Sequence, residues 1–106
     1  MLFMGIYKTI IPKAFELGGM TVNVKHLAHS VEGSTLLGTC NLNRSVINLY
    51  ETYKSCPVSK DSKESTFCHE VVHAILMTMG KGELSDDEGF VEGFANLLHQ
   101  YLKTAR

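Results

Sequence analysis

The chain has 106 residues, of which 44% are hydrophobic and 20% are charged, and its formal net charge at pH 7 is −1. This length and composition fit one globular domain covering residues 1–106, and they argue against a disordered tail, a collagen-like fibre and a membrane span. No basic excess is present to neutralise a row of phosphates, so we expect no nucleic-acid partner.

Targeting and redox signals favour an intracellular protein. The mainly apolar stretch 1–11 is too short to span a bilayer, and it lacks the basic start and the small-residue cleavage site of a signal peptide. The three cysteines, Cys40, Cys56 and Cys68, form an odd and sparse set that is a poor disulfide framework. We therefore expect reduced thiols, a cytoplasmic location and no membrane partner.

The chain up to residue 50 predicts short strands separated by turns. Alternating apolar and polar side chains indicate half-buried strands, and pairs containing glycine or asparagine indicate the turns. The predicted elements are turns at 18–19, 33–34 and 41–44, and strands at 20–25, 36–42 and 46–50. The second and third strands are close enough in sequence to form a hairpin.

Residues 51–63 are polar and contain a proline, which predicts a loop before the first helix. Asp61 followed by Glu64 forms a capping-box pattern that opens a helix over about 62–79. The glycines in 80–82 end it, because glycine is favoured just past a helix C-terminus.

A second capping box, Ser85 with Glu88, opens a helix that runs to about Lys103. Apolar residues spaced three and four apart supply its predicted apolar face: Phe90, Val91, Phe94, Leu97, Leu98, Tyr101 and Leu102. The order strand, strand, strand, helix, helix predicts an α+β fold in which a small antiparallel three-stranded sheet packs against both helices.

The first predicted helix carries the motif His-Glu-x-x-His at residues 69–73. His69 and His73 lie about 40° apart around the helix and one turn on, so both imidazoles can hold one metal ion. Glu70 lies about 100° from His69, where it suits a general base toward a water at the metal better than a ligand. These groups interrupt an apolar helix, and burying them unpartnered costs about 1–3 kcal/mol each, a cost that a metal removes.

A third ligand is expected from the second helix, where Glu88, Glu92 and His99 share one face. Glu88 and His99 are about 16 Å apart along the axis and cannot bind the same ion. Helical geometry therefore favours Glu88 or Glu92 without choosing between them. A structural alternative exists for each residue: Glu88 as the capping partner of Ser85, and the other two as part of a solvated polar stripe.

Other assignments of the histidines and cysteines are weaker. Cys56 and Cys68 could join the two motif histidines in a structural Cys₂His₂ site, but Cys68 lies about 100° from His69 and does not easily converge with it. Cys68 as a nucleophile would need exposure near a histidine, and it is more simply a small buried hydrophobe. We expect His26 and His29 to lie at the surface.

Two segments of the chain resemble the gluzincin-type metallopeptidases of the ImmA/IrrE family, above all short forms encoded by phages and prophages: HEVVHAILMTMG at 69–80 and DDEGFVEGFANLLHQ at 86–100. The resemblance is strongest over 66–100 and weaker over 37–50. It implies a minimal zincin core. The helix-turn-helix domain and long C-terminal part of larger relatives have no counterpart here, so their repressor cleavage is not carried over.

The same resemblance implies a ligand set. His69, His73 and Glu88 would hold one Zn²⁺, and Glu92, one turn beyond Glu88, would orient a ligand histidine. The family pattern has Asp where this chain has Glu92, which leaves that orienting role less defined.

The sequence thus predicts a zinc-dependent metallopeptidase acting on a peptide or protein, with Glu70 as general base and the host cytoplasm as its location if a phage encodes it. An extended substrate could pair with the edge of the strand at 36–42 or 46–50. The alternative is a catalytically silent, metal-stabilised binding module of phage or prophage origin that acts on a protein partner. Glu70 favours the enzyme, because a purely structural metal site does not need it. The sequence does not predict the oligomeric state.

Overall fold

The computed structural model describes residues 10–29 and 37–106. In these ranges the strands come first and the helices follow: β1 Ala14–Leu17, β2 Met20–Leu27, β3 Gly38–Asn41, β4 Val46–Tyr50, β5 Thr52–Tyr53, β6 Cys56–Pro57, α1 Lys60–Thr78, α2 Gly82–Ser85 and α3 Glu88–Thr104. The predicted α+β class is confirmed. The predicted turn at 33–34 and residues 1–9 of the apolar stretch lie outside the described residues. Within the described ranges, no helix has both the length and the hydropathy needed to cross a bilayer.

The main sheet has four strands in the order β1-β2-β4-β3. The pairs β1–β2 and β3–β4 are antiparallel, whereas β2 and β4 run parallel to each other. The prediction of a three-stranded antiparallel sheet is therefore wrong: β1 adds a strand, and the sheet is mixed. After β2 the chain forms β3 at the far edge of the sheet, and β4 then lies between β2 and β3. Local sequence patterns do not reveal a pairing between strands that are so far apart along the chain.

Both predicted turns in the described sheet are confirmed. Gly18 and Gly19 have φ of 58° and 83°, the backbone that a two-residue hairpin needs and that glycine adopts without strain. At the β3–β4 turn, the Arg44 amide donates to both the backbone oxygen and the side-chain oxygen of Asn41.

The segment 51–63, predicted as a loop, is more structured than expected. It contains the two-stranded hairpin of β5 and β6, and α1 begins inside it. The helix starts after Ser59, whose hydroxyl accepts from the Ser62 amide at 3.1 Å, so the predicted capping by Asp61 is wrong. The predicted stop is confirmed: Gly80 has φ of 76°, and the next amide bonds back to Leu76.

Helix α1 lies between the sheet and α3 and packs on both. Phe67 joins the side chains of β2 and β4 in one core cluster: Val22, Val24, Ile47, Leu49 and Phe67. The other side of α1 packs on α3 in a second cluster: Cys68, Val72, Leu76, Val91 and Ala95. This double burial fixes the rotation of α1, and with it the direction of the polar residues of the motif.

The predicted start and apolar face of α3 need correction. Asp87, whose carboxylate accepts from the Phe90 amide, caps α3, while Ser85 belongs to the short α2. Val91, Leu98 and Leu102 from the predicted face do pack against α1, together with Ala95. The remaining four residues are exposed: Phe90, Phe94, Leu97 and Tyr101.

A polar cluster ties α1 to α3 near the start of α1. The Glu64 side chain is only 3% exposed, and it accepts from His99 Nε2 at 3.1 Å and from Lys103 Nζ at 3.0 Å. Lys103 also binds Asp61. Burial by itself raises the pKa of Glu64, but the hydrogen bonds from His99 and Lys103 outweigh burial and hold that pKa below its ordinary value.

We expect Glu64→Gln to lower the free energy of unfolding at pH 7 by about 1–3 kcal/mol, because it removes a buried carboxylate that two donors require. Because the pKa of Glu64 is lower in the folded protein than in the unfolded chain, the ionised carboxylate stabilises the fold at pH values above the ordinary glutamate pKa. This stabilisation is lost as the pH falls through the pKa that Glu64 has in the folded protein. Denaturant unfolding measured from pH 7 to pH 3 should therefore show a shallower acid decline in Glu64→Gln than in wild type. The exposed Glu16→Gln is the control, and equal slopes in all three proteins would contradict the assignment.

Strand β3 approaches α1 closely because residue 38 is glycine. A Cβ built on Gly38 would lie 2.7 Å from Thr66 Cγ2 and 2.9 Å from the Asn48 backbone oxygen. The Asn48 oxygen belongs to the backbone of β4, and the Thr66 methyl is held in place because the Thr66 hydroxyl donates to the Ser62 carbonyl at 2.8 Å. Glycine at position 38 therefore sets the width of the gap between β3 and α1.

We expect Gly38→Ala to destabilise the fold by about 1–3 kcal/mol, because the methyl group forces β3 away from α1. Urea denaturation measures the effect. Gly82→Ala is the matched control, since nothing lies within 4 Å of a Cβ at that position. Equal stability of the two variants would show that β3 does not need this close approach.

Candidate metal centre

The structure brings His69, His73 and Glu88 together at one point. His69 Nε2 and His73 Nε2 are 3.2 Å apart. Glu88 Oε1 lies 3.2 Å from His69 Nε2, and its Oε2 lies 3.5 Å from His73 Nε2. The side chains come from two helices, so the convergence is a product of tertiary structure and not of the motif alone.

Local structure explains why Glu88 reaches the histidines. The two histidines stand one turn apart on α1, so they face the same side. The glycine stop at Gly80 and the four-residue α2 then reverse the chain within a few residues. Glu88 is consequently the first residue of α3 and lies opposite the histidine pair.

The donor set fits a tetrahedral divalent cation such as zinc. With bonds of about 2.0–2.2 Å, two ligand atoms of a tetrahedral zinc ion lie roughly 3.3–3.5 Å apart. The two Nε2 atoms, 3.2 Å apart, are close to that edge length, and the Glu88 carboxylate brings one oxygen to 3.2 Å from the first and its other oxygen to 3.5 Å from the second. Two imidazoles and one carboxylate are also the ligand chemistry of known catalytic zinc sites, which keep a fourth position open.

The other ring nitrogen of each histidine has a partner. Glu92 Oε1 lies 3.0 Å from His69 Nδ1, and Ser85 Oγ lies 2.8 Å from His73 Nδ1. A carboxylate only accepts, so His69 Nδ1 carries the hydrogen and a neutral His69 presents a lone pair at Nε2. Glu92 thus takes the orienting position that the resemblance implied, and Glu88 the position among the ligand atoms.

Ser85 is the site residue that sequence reasoning missed. Ser85 was interpreted as the helix cap, but Asp87 takes that role and Ser85 is buried, with 5% exposure. The signal was present: Asp87 two residues later is an equally good capping residue, which leaves a buried serine beside the motif to be explained.

If His73 donates from Nδ1 to Ser85, as His69 does to Glu92, the two Nε2 lone pairs point toward each other at 3.2 Å. Two lone pairs at that distance repel, and a proton or a cation between them removes the repulsion. Glu88 adds negative charge at the same point. The arrangement of donors can therefore accept a proton or a divalent cation at this point.

Glu70 lies beside this centre and is 9% exposed. Burial raises the pKa of Glu70 above its ordinary value; the neighbouring His69 opposes this, and the charge of Glu88 adds to it. Glu70 and His69 face a cleft of about 420 Å³ between β3 and α1, lined by Leu37, Gly38, Ser62, Ser65, Thr66, His69, Glu70 and Glu92.

The other candidate residues lie elsewhere. His99 is engaged with Glu64, and although Asp61, Glu64 and His99 are close enough to hold a cation, the Lys103 ammonium already binds both carboxylates. As expected, His26 and His29 are exposed.

The cysteines do not support the alternative assignments. Cys56 is exposed on β6, while Cys68 is buried in the α1–α3 core. Burial raises the pKa of the Cys68 thiol to about 11, which disfavours a thiolate nucleophile. Among the described residues, no cysteine belongs to a group of potential ligand atoms close enough to hold a metal ion.

No family model, curated protein or solved structure matches this chain. The resemblance to ImmA/IrrE metallopeptidases therefore stays a prediction. What supports a function is the geometry of the site itself.

We expect Glu88→Ala to lose bound zinc, because it removes a ligand. We expect Ser85→Ala and Glu92→Ala to keep zinc with an affinity reduced about 10–100-fold, because these two residues orient the ligand histidines without binding the ion. Elemental analysis of purified protein gives the zinc content, and competition with a chromophoric chelator gives the affinity. Ser65→Ala is the matched control, since Ser65 lies on α1 and contacts Asn96 instead of an imidazole. Zinc lost in Glu92→Ala but kept in Glu88→Ala would make Glu92 the ligand.

Proposed function

We propose that the chain is a zinc-dependent metallopeptidase in which His69, His73 and Glu88 hold the metal and Glu70 is the general base. The observation that carries this proposal is the convergence of three ligand atoms beside a buried glutamate at a cleft. Each group has a position suited to one role, and Glu70 has no ligand role to explain its burial.

Zn²⁺ held by these residues would supply Lewis-acid chemistry, lowering the pKa of a water molecule and polarising the scissile carbonyl. Glu70 takes the proton as water attacks the carbonyl carbon and then delivers it to the leaving amine. Its burial suits the first of these steps, since a raised pKa makes the Glu70 carboxylate a stronger base toward the proton of the water.

The cleft favours an extended peptide as substrate. Of the two strands considered from the sequence, β4 is paired on both sides and offers no free edge. Strand β3 is the last strand of the sheet on the side of the cleft, and Leu37 and Gly38 line that cleft with the motif residues. An extended substrate would pair with the free edge of β3 as an additional strand. This pairing would bring the scissile peptide bond of the substrate to Glu70 and the metal.

Glu70 also separates this proposal from its alternative, a metal-stabilised binding module without turnover. Three ligands and their partners would suffice to stabilise such a module, and a buried carboxylate that binds no cation would only add a desolvation cost. The three free cysteines suit a reducing compartment, and we place the activity in the cytoplasm.

We expect Glu70→Gln to reduce peptide hydrolysis at least about 100-fold while the zinc content stays that of wild type, because the amide keeps the shape of the side chain but cannot take a proton. Mass spectrometry of a peptide library incubated with each zinc-loaded protein measures cleavage. Chelation should stop wild-type cleavage, and added zinc should restore it.

Two outcomes of this experiment would count against the proposal. Cleavage by Glu70→Gln at the wild-type rate would remove Glu70 from the mechanism. Zinc-loaded wild-type protein that binds library peptides but cleaves none would instead favour the binding module.

A further inference from the structure

Helix α3 has a second apolar surface, which none of the described core clusters includes. Phe90, Phe94, Leu97 and Tyr101 are 38, 53, 69 and 66% exposed, respectively. We call these four residues the α3 stripe. Their spacings of four, three and four residues place them in one line about 16 Å long, roughly 100° around the helix from the row that packs on α1.

The α3 stripe is comparable in area to the largest apolar patch of a typical monomer. Given the exposed fractions and the usual areas of these side chains, it presents roughly 400 Å² of contiguous apolar surface. The rings of Phe90 and Phe94 contact each other, with centroids 5.9 Å apart, so the aromatic groups form one patch. The largest apolar patch on a protein surface is often functional.

The charges of α3 lie away from the stripe. Glu88 and Glu92 face the candidate metal centre, while His99 and Lys103 face Glu64 of α1. The flank beyond the stripe carries small or uncharged residues: Gly89, Gly93, Gln100 and Thr104. Nothing lies within 4 Å of a Cβ built on Gly93, so the described chain does not itself require glycine there, whereas a second helix approaching closely would.

We propose that the α3 stripe is a homodimer interface in which α3 packs antiparallel on α3 of a second copy. A two-fold axis between positions 95 and 96 sets Phe90 against Tyr101 of the partner subunit and Phe94 against Leu97 of the partner subunit. The stripe is therefore self-complementary, as an isologous interface must be. Because no charged residue lies on it, the pairing brings no like charges together.

The area available also defines the kind of dimer. Two stripes bury roughly 800 Å², which is below the roughly 1,200–2,000 Å² of stable specific interfaces, so the flanking residues must add to the contact and the dimer is a weak one. We therefore expect a reversible dimer with a dissociation constant in the micromolar range. The metal ligands face another side of α3, so this inference does not rest on the proposed peptidase function.

Sedimentation velocity of the full chain over a concentration series tests the proposal. Wild type should dimerise, and Leu97→Asp should raise the dissociation constant at least about tenfold. Asn96→Asp is the control, because it adds the same charge to an exposed position of α3 off the stripe. Circular dichroism spectra that are unchanged in both variants establish that the fold is intact.

A charge pair tests the register. Phe94→Lys and Leu97→Asp should each weaken the dimer, and an equimolar mixture of the two should form a heterodimer, since these positions face each other across the axis. Wild-type protein that stays monomeric above about 100 µM would overturn the proposal. So would a dimer that Leu97→Asp leaves unchanged, or variants that fail to recover when mixed.

Discussion

The packing of α1 between the sheet and α3 is the constraint on which the rest of this structure depends. Phe67 points into the sheet cluster, while Cys68 and Val72 point into the α3 cluster. With two sides of the helix covered by apolar groups, its rotation is fixed, because any other rotation would expose these side chains and bury polar ones. The direction of His69 and Glu70 is a consequence of this packing.

The seam between α1 and α3 joins two polar clusters. In the middle of α1, His69 contacts both Glu88 and Glu92, and near the start of the helix Glu64 binds His99 and Lys103. In the second cluster the lysine ammonium compensates the buried carboxylate. In the first, no lysine or arginine of the described residues pairs with Glu88 or Glu92, and the compensating charge is left to a proton on the imidazoles or to a bound cation. A metal bound to both helices would also stabilise the fold, since the unfolded chain lacks the site.

Capping shows where sequence patterns predict well and where they do not. The glycine stop at Gly80 is confirmed because a left-handed backbone position needs glycine whatever surrounds it. The capping boxes at Asp61 and Ser85 are wrong because Ser59 and Asp87, two residues away, offer the same hydrogen bond. Tertiary contacts decide which residue caps each helix: Asp61 binds Lys103, and Ser85 is buried against His73.

The apolar residues of α3 form two faces, and α1 covers one of them.

The sequence by itself determined the α+β class, the two long helices and the histidine pair, because these follow from periodicities of two, three and four residues. Only the tertiary structure decided that β2 and β4 run parallel, and that Glu88 instead of Glu92 joins the two Nε2 atoms. Glu88 and Glu92 share one face of α3, so the helical repeat cannot distinguish them. The distance between α1 and α3 and the length of the turn at α2 distinguish the two glutamates, because they set which turn of α3 lies opposite the histidines.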